Sequence, residues 1–363
     1  MKHLVIESGR LKNNIERVKK RAGGSLVYGV LKGGGYGLGL LEMARALRAE
    51  GISRFAVTEL RDAVSLRENG FVDEEILLLT PTTNREEIET MIDYSVVASV
   101  SSYETAVAVN GVAELRKTVI EAHVEIDTGM GRSGFLPSET DKVASIYTYM
   151  ASLALTGIYT HFYKAFSSEK VTRAQYELFM GLIAGLERAG IDVGLRHACN
   201  SAALFRYDFA MLDAVRVGSA FLGRLYGKFT YGLQKVGYIE CAVSDVRWLP
   251  KGHTVGYSGA YRTKRPVRIA IVPVGYADGY CVAKPRDPAR FSETVRFLIR
   301  DMKDGLIGKR PAAKICGQRV RLLGHLGMQH AVFDVTKLEC SPGDMAKMEA
   351  NPLFCGNMKR RYE

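Results

Sequence analysis

The stretch that decides the fold runs from residue 25 to residue 49 and reads SLVYGVLKGGGYGLGLLEMARALRA. Its first seven residues form a short apolar run typical of a buried strand, and residues 40–50 repeat apolar side chains at helical spacing. Between them stand Lys32 and five glycines, which let a ligand approach the backbone closely. A strand, a glycine-rich turn and a helix in this order form one unit of a parallel α/β structure.

This alternation continues from about residue 10 to about residue 225. Over that length it predicts a (β/α)8 barrel, although an open doubly wound sheet gives the same local pattern. The number of strand-type runs favours the barrel. The runs cover residues 25–31, 55–57, 76–79, 96–100, 119–126 and 155–159, and the clearest helical periodicity covers residues 40–50, 59–69 and 169–189.

The pattern changes beyond about residue 230. Strand-like runs at 239–246, 267–274 and 332–335 are joined by turns rich in Gly, Pro and Lys, with helical periodicity mainly at 291–302. This predicts a mostly β domain. The predicted fold class is therefore α/β, with a TIM-type barrel followed by a mostly β C-terminal domain.

Composition excludes several classes of protein. With 363 residues, 47% of them apolar, the chain is long enough for a barrel and a smaller domain. Lys and Arg outnumber Asp and Glu by 50 to 39, but they are scattered and match no nucleic-acid motif. The six cysteines form no C-x-x-C pair, which indicates reduced thiols. The charged N-terminus is not that of a signal peptide and no apolar run reaches ~18 residues. We therefore expect a soluble, cytoplasmic protein that binds no membrane, nucleic acid or metal.

The glycine-rich turn at Lys32 is the first candidate site. In a barrel the C-terminal ends of the strands carry the chemistry, and glycines there suit a phosphate. The spacing does not match the dinucleotide motif G-x-G-x-x-G, because Leu40 stands where the third glycine belongs. Gly308-Lys309 does not form a nucleotide-phosphate loop, because Arg310 replaces the required Ser or Thr. Taken alone, Lys32 in a flexible exposed turn is an equally good interpretation.

The same stretch resembles the cofactor-lysine motif of the alanine racemase family, in which a lysine, three small residues and Tyr-Gly follow the first barrel strand. Further matches follow in the family's order across nearly the whole chain, which makes coincidence very improbable. These segments are HVEIDTGMGRSGF (123–135), YTHF (159–162), HACNSA (197–202), VRVGS (215–219), VGYSGAY (255–261), VGYADGY (274–280) and GM (327–328).

The resemblance implies two catalytic bases. Lys32 corresponds to the lysine that holds pyridoxal 5′-phosphate (PLP) as a Schiff base and becomes a free amine when the substrate displaces it. Tyr257 corresponds to a second base, which reaches the opposite face of the cofactor from the partner subunit and completes the inversion. Tyrosine is normally a very weak acid, so neighbours such as His161, the family's match, must lower the pKa of Tyr257. Without this context Tyr257 would be predicted to pack in a strand.

Arg216 resembles the arginine that faces the pyridine nitrogen of PLP. Because a guanidinium can only donate, that nitrogen must stay unprotonated, which disfavours a long-lived carbanion and side reactions such as transamination. Decarboxylases and transaminases more usually place a carboxylate there, so Arg216 favours a racemase. His197 is expected to support Arg216, although a purely structural histidine fits almost equally well. Outside this context Arg216 would be predicted to form a surface salt bridge.

Further residues are implied to hold the cofactor and the substrate. Arg132 matches an arginine near the cofactor hydroxyl and the substrate carboxylate. The backbone of Met328 would contact that carboxylate from the partner chain, whereas by residue type alone Met328 would be core filler. Tyr276 is also expected in the substrate site. The phosphate would be held by hydroxyls and backbone N–H groups of Tyr36, Ser201, Gly218 and Ser219.

Two regions depart from the family. Glu125 stands where many members carry a carbamylated lysine that holds Arg132, and we expect its carboxylate to hold Arg132 directly.

The second departure is the substrate entrance. Lys359 aligns best with a tyrosine that narrows the family's pocket, and Lys164 replaces a small residue. His325 and Gln329 replace other residues of the entrance, and the segment 281–311 is longer than usual. A wider pocket with two lysines favours an anionic substrate over a cationic one, which puts alanine in doubt as the substrate.

The resemblance thus implies a PLP-dependent racemase that interconverts the enantiomers of alanine or a related, bulkier amino acid in a homodimer with shared sites. It implies an N-terminal strand at 1–9 joining the C-terminal domain, a PLP-binding barrel at 10–230 and a β domain at 231–363. Two alternatives remain: another barrel-type PLP enzyme, such as an amino-acid decarboxylase, or a PLP-binding regulatory protein without turnover.

Overall fold

A computed structural model of the chain describes residues 2–225, 230–283, 291–306, 311–356 and 358–363. The chain divides into two compact units. One is Gly9–Lys235, and the other combines Met1–Ser8 with Val236–Glu363. The domain boundaries at residues 9 and 230 stay a prediction.

The first unit is the predicted barrel. Its eight strands are parallel and lie in the order β4-β3-β2-β9-β8-β7-β6-β5. A parallel bridge between Leu77 and Val97 joins the two ends of the sheet, so the barrel is nearly closed. The chain begins with β1 (Lys2–Ile6) of the second unit, and the barrel strands are β2 (Leu26–Val30), β3 (Arg54–Val57), β4 (Glu75–Leu78), β5 (Ala98–Val100), β6 (Ile120–Ile126), β7 (Leu153–Thr160), β8 (Leu195–Asn200) and β9 (Ala214–Val217).

Helical segments alternate with these strands, and the predicted helices at 40–50, 59–69 and 169–189 are confirmed to within two residues. They face the barrel with the apolar side that the periodicity indicated; in α3, for example, Met43, Ala44 and Leu47 are buried. The segments are α1 (Ser8–Ala22), α2 (Lys32–Tyr36), α3 (Leu40–Ala49), α4 (Leu60–Glu68), α5 (Arg85–Asp93), α6 (Tyr103–Leu115), α7 (Thr140–Tyr149), α8 (Glu169–Arg188) and α9 (Ser201–Arg206).

The segment α2 is a left-handed turn. Gly33, Gly34 and Gly35 have φ of 62°, 59° and 63°, and Tyr36 follows with φ of 55°. A β-carbon in this conformation meets the following carbonyl oxygen, so a run of glycines is the natural solution. The turn leads the chain from the end of β2 directly into α3.

The second unit is mostly β, as predicted. Its six-stranded sheet has the order β16-β15-β18-β10-β1-β19, so the N-terminal strand pairs with two C-terminal strands. A three-stranded sheet has the order β11-β14-β17, and β12 and β13 form a hairpin. The elements are β10 (Tyr238–Ala242), β11 (Asp245–Leu249), β12 (Thr254–Val255), β13 (Tyr261–Arg262), β14 (Val267–Val272), α10 (Phe291–Leu306), β15 (Ala312–Ile315), β16 (Gln318–Arg321), β17 (Ala331–Asp334), β18 (Met345–Glu349) and β19 (Arg360–Tyr362).

One predicted strand is wrong. The run 239–246 was expected to be a single strand, but it is divided between β10 and β11, which belong to different sheets. At the break, the N–H of Val243 donates to Asp344 and that of Ser244 donates to Ile271, so the chain changes partner there. Because the residues on both sides of the break are apolar, the run looks like one continuous strand in the sequence.

Substitutions in α2 would test the left-handed turn. Gly34→Ala should lower the free energy of unfolding by roughly 1–2 kcal/mol, because a β-carbon there meets no atom within 4 Å and only the backbone conformation is unfavourable. Gly35→Ala should cost roughly 1–3 kcal/mol more, because its β-carbon would lie 2.9 Å from that of Met43. Urea unfolding of both variants measures the difference, and equal losses would contradict the description of the turn.

Candidate active site

The residues predicted for the barrel site lie at the C-terminal ends of its strands. Lys32 follows β2, His161 follows β7, Ser201 follows β8 and Gly218 follows β9. Arg132 lies in the loop after β6. The C-terminal ends of parallel strands meet at one end of a barrel, and catalytic sites of such barrels are built there.

The residues expected to hold a phosphate are brought together. A β-carbon built on Gly218 would lie 2.3 Å from the hydroxyl oxygen of Tyr36, so Tyr36 lies directly against this glycine. The N–H groups of Gly218 and Ala220 lie 3.1 and 3.4 Å from Oγ of Ser201. Burial raises the pKa of Tyr36 to about 12, so its hydroxyl keeps its proton and can donate. Half-buried Ser219 lies between the two N–H groups, and the group presents hydroxyl and backbone donors side by side.

The start of α9 is held by Asn200, which sequence reasoning had only quoted within a motif. Its Oδ1 accepts from the N–H groups of Ala202 and Ala203, both at 3.1 Å. Its Nδ2 donates to the carbonyl of Phe162 at 2.9 Å. One side chain therefore fixes Ser201 relative to the segment that carries His161.

Arg216 is a buried cation on β9, with 3% of its surface exposed, and is not the surface arginine considered as an alternative. Nη1 lies 2.7 Å from Nδ1 of His197 and donates to the carbonyl of His197 at 2.9 Å. Nη2 donates to the carbonyl of Thr160 at 2.6 Å and lies 3.4 Å from Nδ1 of His161. The hydrogen bond from Arg216 to His197 is the one predicted.

Three histidines around this arginine are kept neutral. Burial, followed by the charge of Arg216, lowers the pKa of His123 and of His161 to about 3. The same two causes place the pKa of His197 well below 6.5. The charge of Lys32 also lowers the pKa of His161, so these two side chains lie within electrostatic range of each other. His161 and His197 can therefore act as hydrogen-bond acceptors near neutral pH.

Glu125 and Arg132 form the ion pair that the sequence analysis expected. Oε1 of Glu125 lies 3.6 Å from Nη2 of Arg132, and Oε2 accepts from Oγ of Ser133 at 2.7 Å. Glu125 is buried, whereas the Arg132 side chain is 54% exposed. Burial raises the pKa of Glu125, and Ser133 and Arg132 oppose that shift. The carboxylate anchors an arginine whose other end is available to a ligand.

The loop that carries Arg132 is shaped by two side chains that sequence reasoning missed. Oδ1 of Asp127 accepts from the N–H of Met130 at 2.7 Å and from those of the neighbouring glycines. Buried Gln175 of α8 donates to Oγ1 of Thr128 at 3.1 Å and accepts from the N–H of Tyr163 at 3.2 Å. Gln175 lies in an otherwise ordinary amphipathic helix, so the signal available in the sequence was a pair of polar residues, Thr172 and Gln175, on its buried face.

The predicted residues of the second unit lie on adjoining loops. A β-carbon on Gly275 would lie 2.2 Å from the carbonyl oxygen of Met328, and the N–H of Tyr276 donates to the carbonyl of Gly327. Met328 is 58% and Tyr276 50% exposed, so Met328 is not core filler. Tyr257 is 76% exposed in a turn between β12 and β13, and does not pack in a strand.

The structure also gives the positions of the residues that were expected at the substrate entrance. His325 follows Gly324, at which a β-carbon would lie 2.4 Å from the carbonyl oxygen of Val255, so the loops of Met328 and Tyr257 adjoin. His325, Gln329 and Lys359 are exposed, and Lys164 of the barrel unit is half-buried.

The structure bears on the expectations about the cysteines and about membrane spans. None of the six cysteines, all of which lie in the described part of the chain, forms a disulfide. Within the described residues no helix is long and apolar enough to cross a membrane.

The buried histidines predict acid sensitivity of the fold. His123 and His161 stay neutral in the folded protein down to about pH 3, and the pKa of His197 is also well below 6.5, whereas each takes up a proton in the unfolded chain below about 6.5. The contribution of these histidines to the free energy of unfolding is therefore fully present above pH 6.5. It decreases as the pH falls, by about 1.4 kcal/mol per pH unit for each histidine. Urea unfolding between pH 7.5 and pH 4.5 measures this slope.

A matched pair of variants isolates the effect. His123→Asn should reduce the slope by about one proton, whereas His253→Asn, at an exposed position, should leave it unchanged. Equal slopes in wild type and His123→Asn would show that His123 is protonated in the folded protein.

Comparison with known proteins gives one family for both units. The family model "Alanine racemase, N-terminal domain" matches residues 6–225, and "Alanine racemase, C-terminal domain" matches residues 236–354. The alanine racemase of Carboxydothermus hydrogenoformans is 36% identical over 279 residues, which are 74% of each chain.

Solved structures of alanine racemases have the same fold as this chain. An alanine racemase of Clostridium difficile has 25% identity and a TM-score of 0.83, over 100% of this chain and 95% of that one. The fold is also that of an alanine racemase from Bartonella henselae described with covalently bound PLP, with 21% identity and a TM-score of 0.82 over 100% and 99% of the two chains. The chain therefore belongs to the alanine racemase family and is an amino-acid racemase, an isomerase.

Proposed function

We propose that the chain interconverts the enantiomers of alanine, or of a related and bulkier amino acid, with PLP bound in the barrel unit. Lys32 and Tyr257 would act as the two bases, and Tyr257 would come from the partner subunit of a homodimer. When bound, PLP withdraws electrons from the α-carbon of the attached amino acid and makes its proton removable.

The barrel residues fit this cofactor. Tyr36, Ser201, Gly218 and Ser219 would bind its phosphate, because their hydroxyl and N–H groups adjoin one another and Gly218 adds no side chain to the space. Lys32, at the end of β2, would hold the cofactor covalently through its amine.

The observation that carries the proposal is the hydrogen bonding of Arg216. A guanidinium has five N–H groups, and four of them face His197, Thr160 and His161. Among the described residues nothing accepts from the fifth, the Nε–H. It would donate to the ring nitrogen, and its permanent charge would keep that nitrogen unprotonated. An arginine at this position would therefore favour return of a proton to the α-carbon over decarboxylation or transamination.

Arg132 would orient the substrate through its carboxylate. Its guanidinium is half-exposed and anchored at one end by Glu125, so one side can face a ligand. Fixing the carboxylate fixes the face of the α-carbon that each base reaches.

The exposed loops of the second unit support the homodimer. Large side chains such as Tyr257, Tyr276 and Met328 seldom project together into solvent in a monomer. A partner subunit that covers them would bring the Tyr257 hydroxyl to the face of the cofactor opposite Lys32. The basic entrance residues Lys164 and Lys359 would then select among substrates by charge.

The proposal predicts exchange of the α-proton with inversion. PLP-loaded protein in D₂O should replace the α-proton of its substrate and form the D-enantiomer at a matching rate, as followed by NMR and chiral chromatography. The panel is alanine, serine, lysine, ornithine, arginine, aspartate and glutamate. Release of carbon dioxide would indicate a decarboxylase. No exchange, with the cofactor fixed on Lys32 by borohydride, would indicate a binding protein without turnover.

Shared sites predict complementation between two inactive variants. Lys32→Ala and Tyr257→Phe should each lose racemisation, but a mixed dimer of the two should have one intact site of two and therefore about half of the wild-type activity. Racemisation by co-purified mixed dimers measures this. Co-expression of Lys32→Ala with itself under two tags is the control, and no restoration in mixed dimers would place both bases on one chain.

A further inference from the structure

The proposed mechanism leaves one buried histidine without a role. His123 on β6 is 1% exposed, and its Nδ1 lies 2.9 Å from Nε2 of His197. His197 in turn receives Nη1 of Arg216 on its Nδ1 at 2.7 Å. These three side chains form a hydrogen-bonded row inside the barrel.

The donor and the acceptor in each of these two hydrogen bonds follow from the fact that a guanidinium has N–H groups but no acceptor. Arg216 can only donate, so Nδ1 of His197 must accept and carries no proton. A neutral imidazole has one N–H, which therefore lies on Nε2 of His197. That N–H must donate to Nδ1 of His123, which consequently also carries no proton.

The surroundings leave the rings little freedom to find another arrangement. The ring of His197 is stacked between Tyr28 and Tyr159, with centroid distances of 5.4 and 5.0 Å. The His123 ring lies against Gly157, where a β-carbon would be 2.8 Å from its Nε2. Burial keeps both histidines neutral, so neither acquires a second proton that would break the row.

We propose that His123 is a positioning residue, which sets the tautomer of His197 and thereby the orientation of Arg216. This inference rests on the proposed function, in which the Nε–H of Arg216 faces the cofactor. Without an acceptor at position 123, the tautomer that Arg216 favours leaves the Nε2–H of His197 buried and unpaired, so the tautomer with the proton on Nδ1 also becomes populated. An Nδ1–H would then oppose an N–H of Arg216, and the guanidinium would have to turn.

His123→Asn and His123→Leu form a matched pair. The two side chains have nearly the same size and shape, but only the amide oxygen of Asn can accept near the place of Nδ1. Any loss of activity or stability caused by the smaller side chain is therefore common to both variants. The difference between the two variants measures the effect of the hydrogen-bond acceptor at position 123.

The first measurement is the tautomer of His197 by ¹⁵N NMR of histidine-labelled protein, with signals assigned by single substitution. Wild type and His123→Asn should show a proton on Nε2, and His123→Leu should show a mixture of both tautomers. This readout needs no activity and applies to wild type even if a variant fails to fold. A proton on Nδ1 of His197 in wild type would overturn the inference.

The second measurement is racemisation by the PLP-loaded protein. In His123→Leu, kcat should fall by about 10- to 100-fold, the effect of one hydrogen bond to a charged group, with little change in KM. His123→Asn should recover most of this loss. A changed tautomer with unchanged kcat, or equal losses in both variants, would overturn the positioning role. If wild type does not racemise any amino acid, the proposed function fails, and the NMR result alone decides whether His123 sets the tautomer.

Discussion

Arg216 places a permanent positive charge inside the barrel, and the arrangement around it follows from the need to satisfy that charge away from water. Its acceptors in the described part are the carbonyls of Thr160 and His197 and the ring nitrogens of two histidines. Burial lowers the pKa of Arg216, but a guanidinium stays protonated at any ordinary pH. An unpaired N–H on either Nη would cost several kcal/mol in the interior, so the acceptors of these two nitrogens must be fixed in place.

This requirement divides the barrel interior into two halves. Toward β2, β3 and β4 it contains a buried apolar cluster with Val30, Ala56 and Leu77, beside which Tyr28 donates to Glu75. Toward β6, β7 and β8 it contains polar groups such as His123, Tyr159 and His197 in place of the aliphatic layers usual in such barrels. The polar half orients the arginine, and the apolar half supports the glycine-rich turn that carries Lys32. Stability and site geometry are thus set by the same residues.

Apolar periodicity predicted the barrel and its alternation of strands and helices because it is a local signal, whereas most of the residues that gather at the C-terminal end of the barrel were implied by the resemblance to the family. Strands β8 and β9 were not among the predicted strand runs, since His197 and Arg216 interrupt the apolar pattern of a buried strand. The role of His123 was missed because its partner is 74 residues away. The break in the run 239–246 was missed because sheet membership depends on partners and not on hydrophobicity.

Glu125 shows how the family's site tolerates a change of chemistry. A carbamylated lysine, which many members carry there, supplies a negative charge at the end of a long side chain. Glu125 supplies its charge closer to the strand, and the raised pKa of this carboxyl reflects the cost of burying it. Ser133 and Arg132 offset part of that cost, and Arg132 stays 3.6 Å away. As the pH falls, Glu125 loses its charge at a higher pH than an ordinary glutamate, and its hold on Arg132 weakens. A glutamate carries its charge without carbon dioxide chemistry, but its raised pKa makes the strength of this ion pair depend on pH.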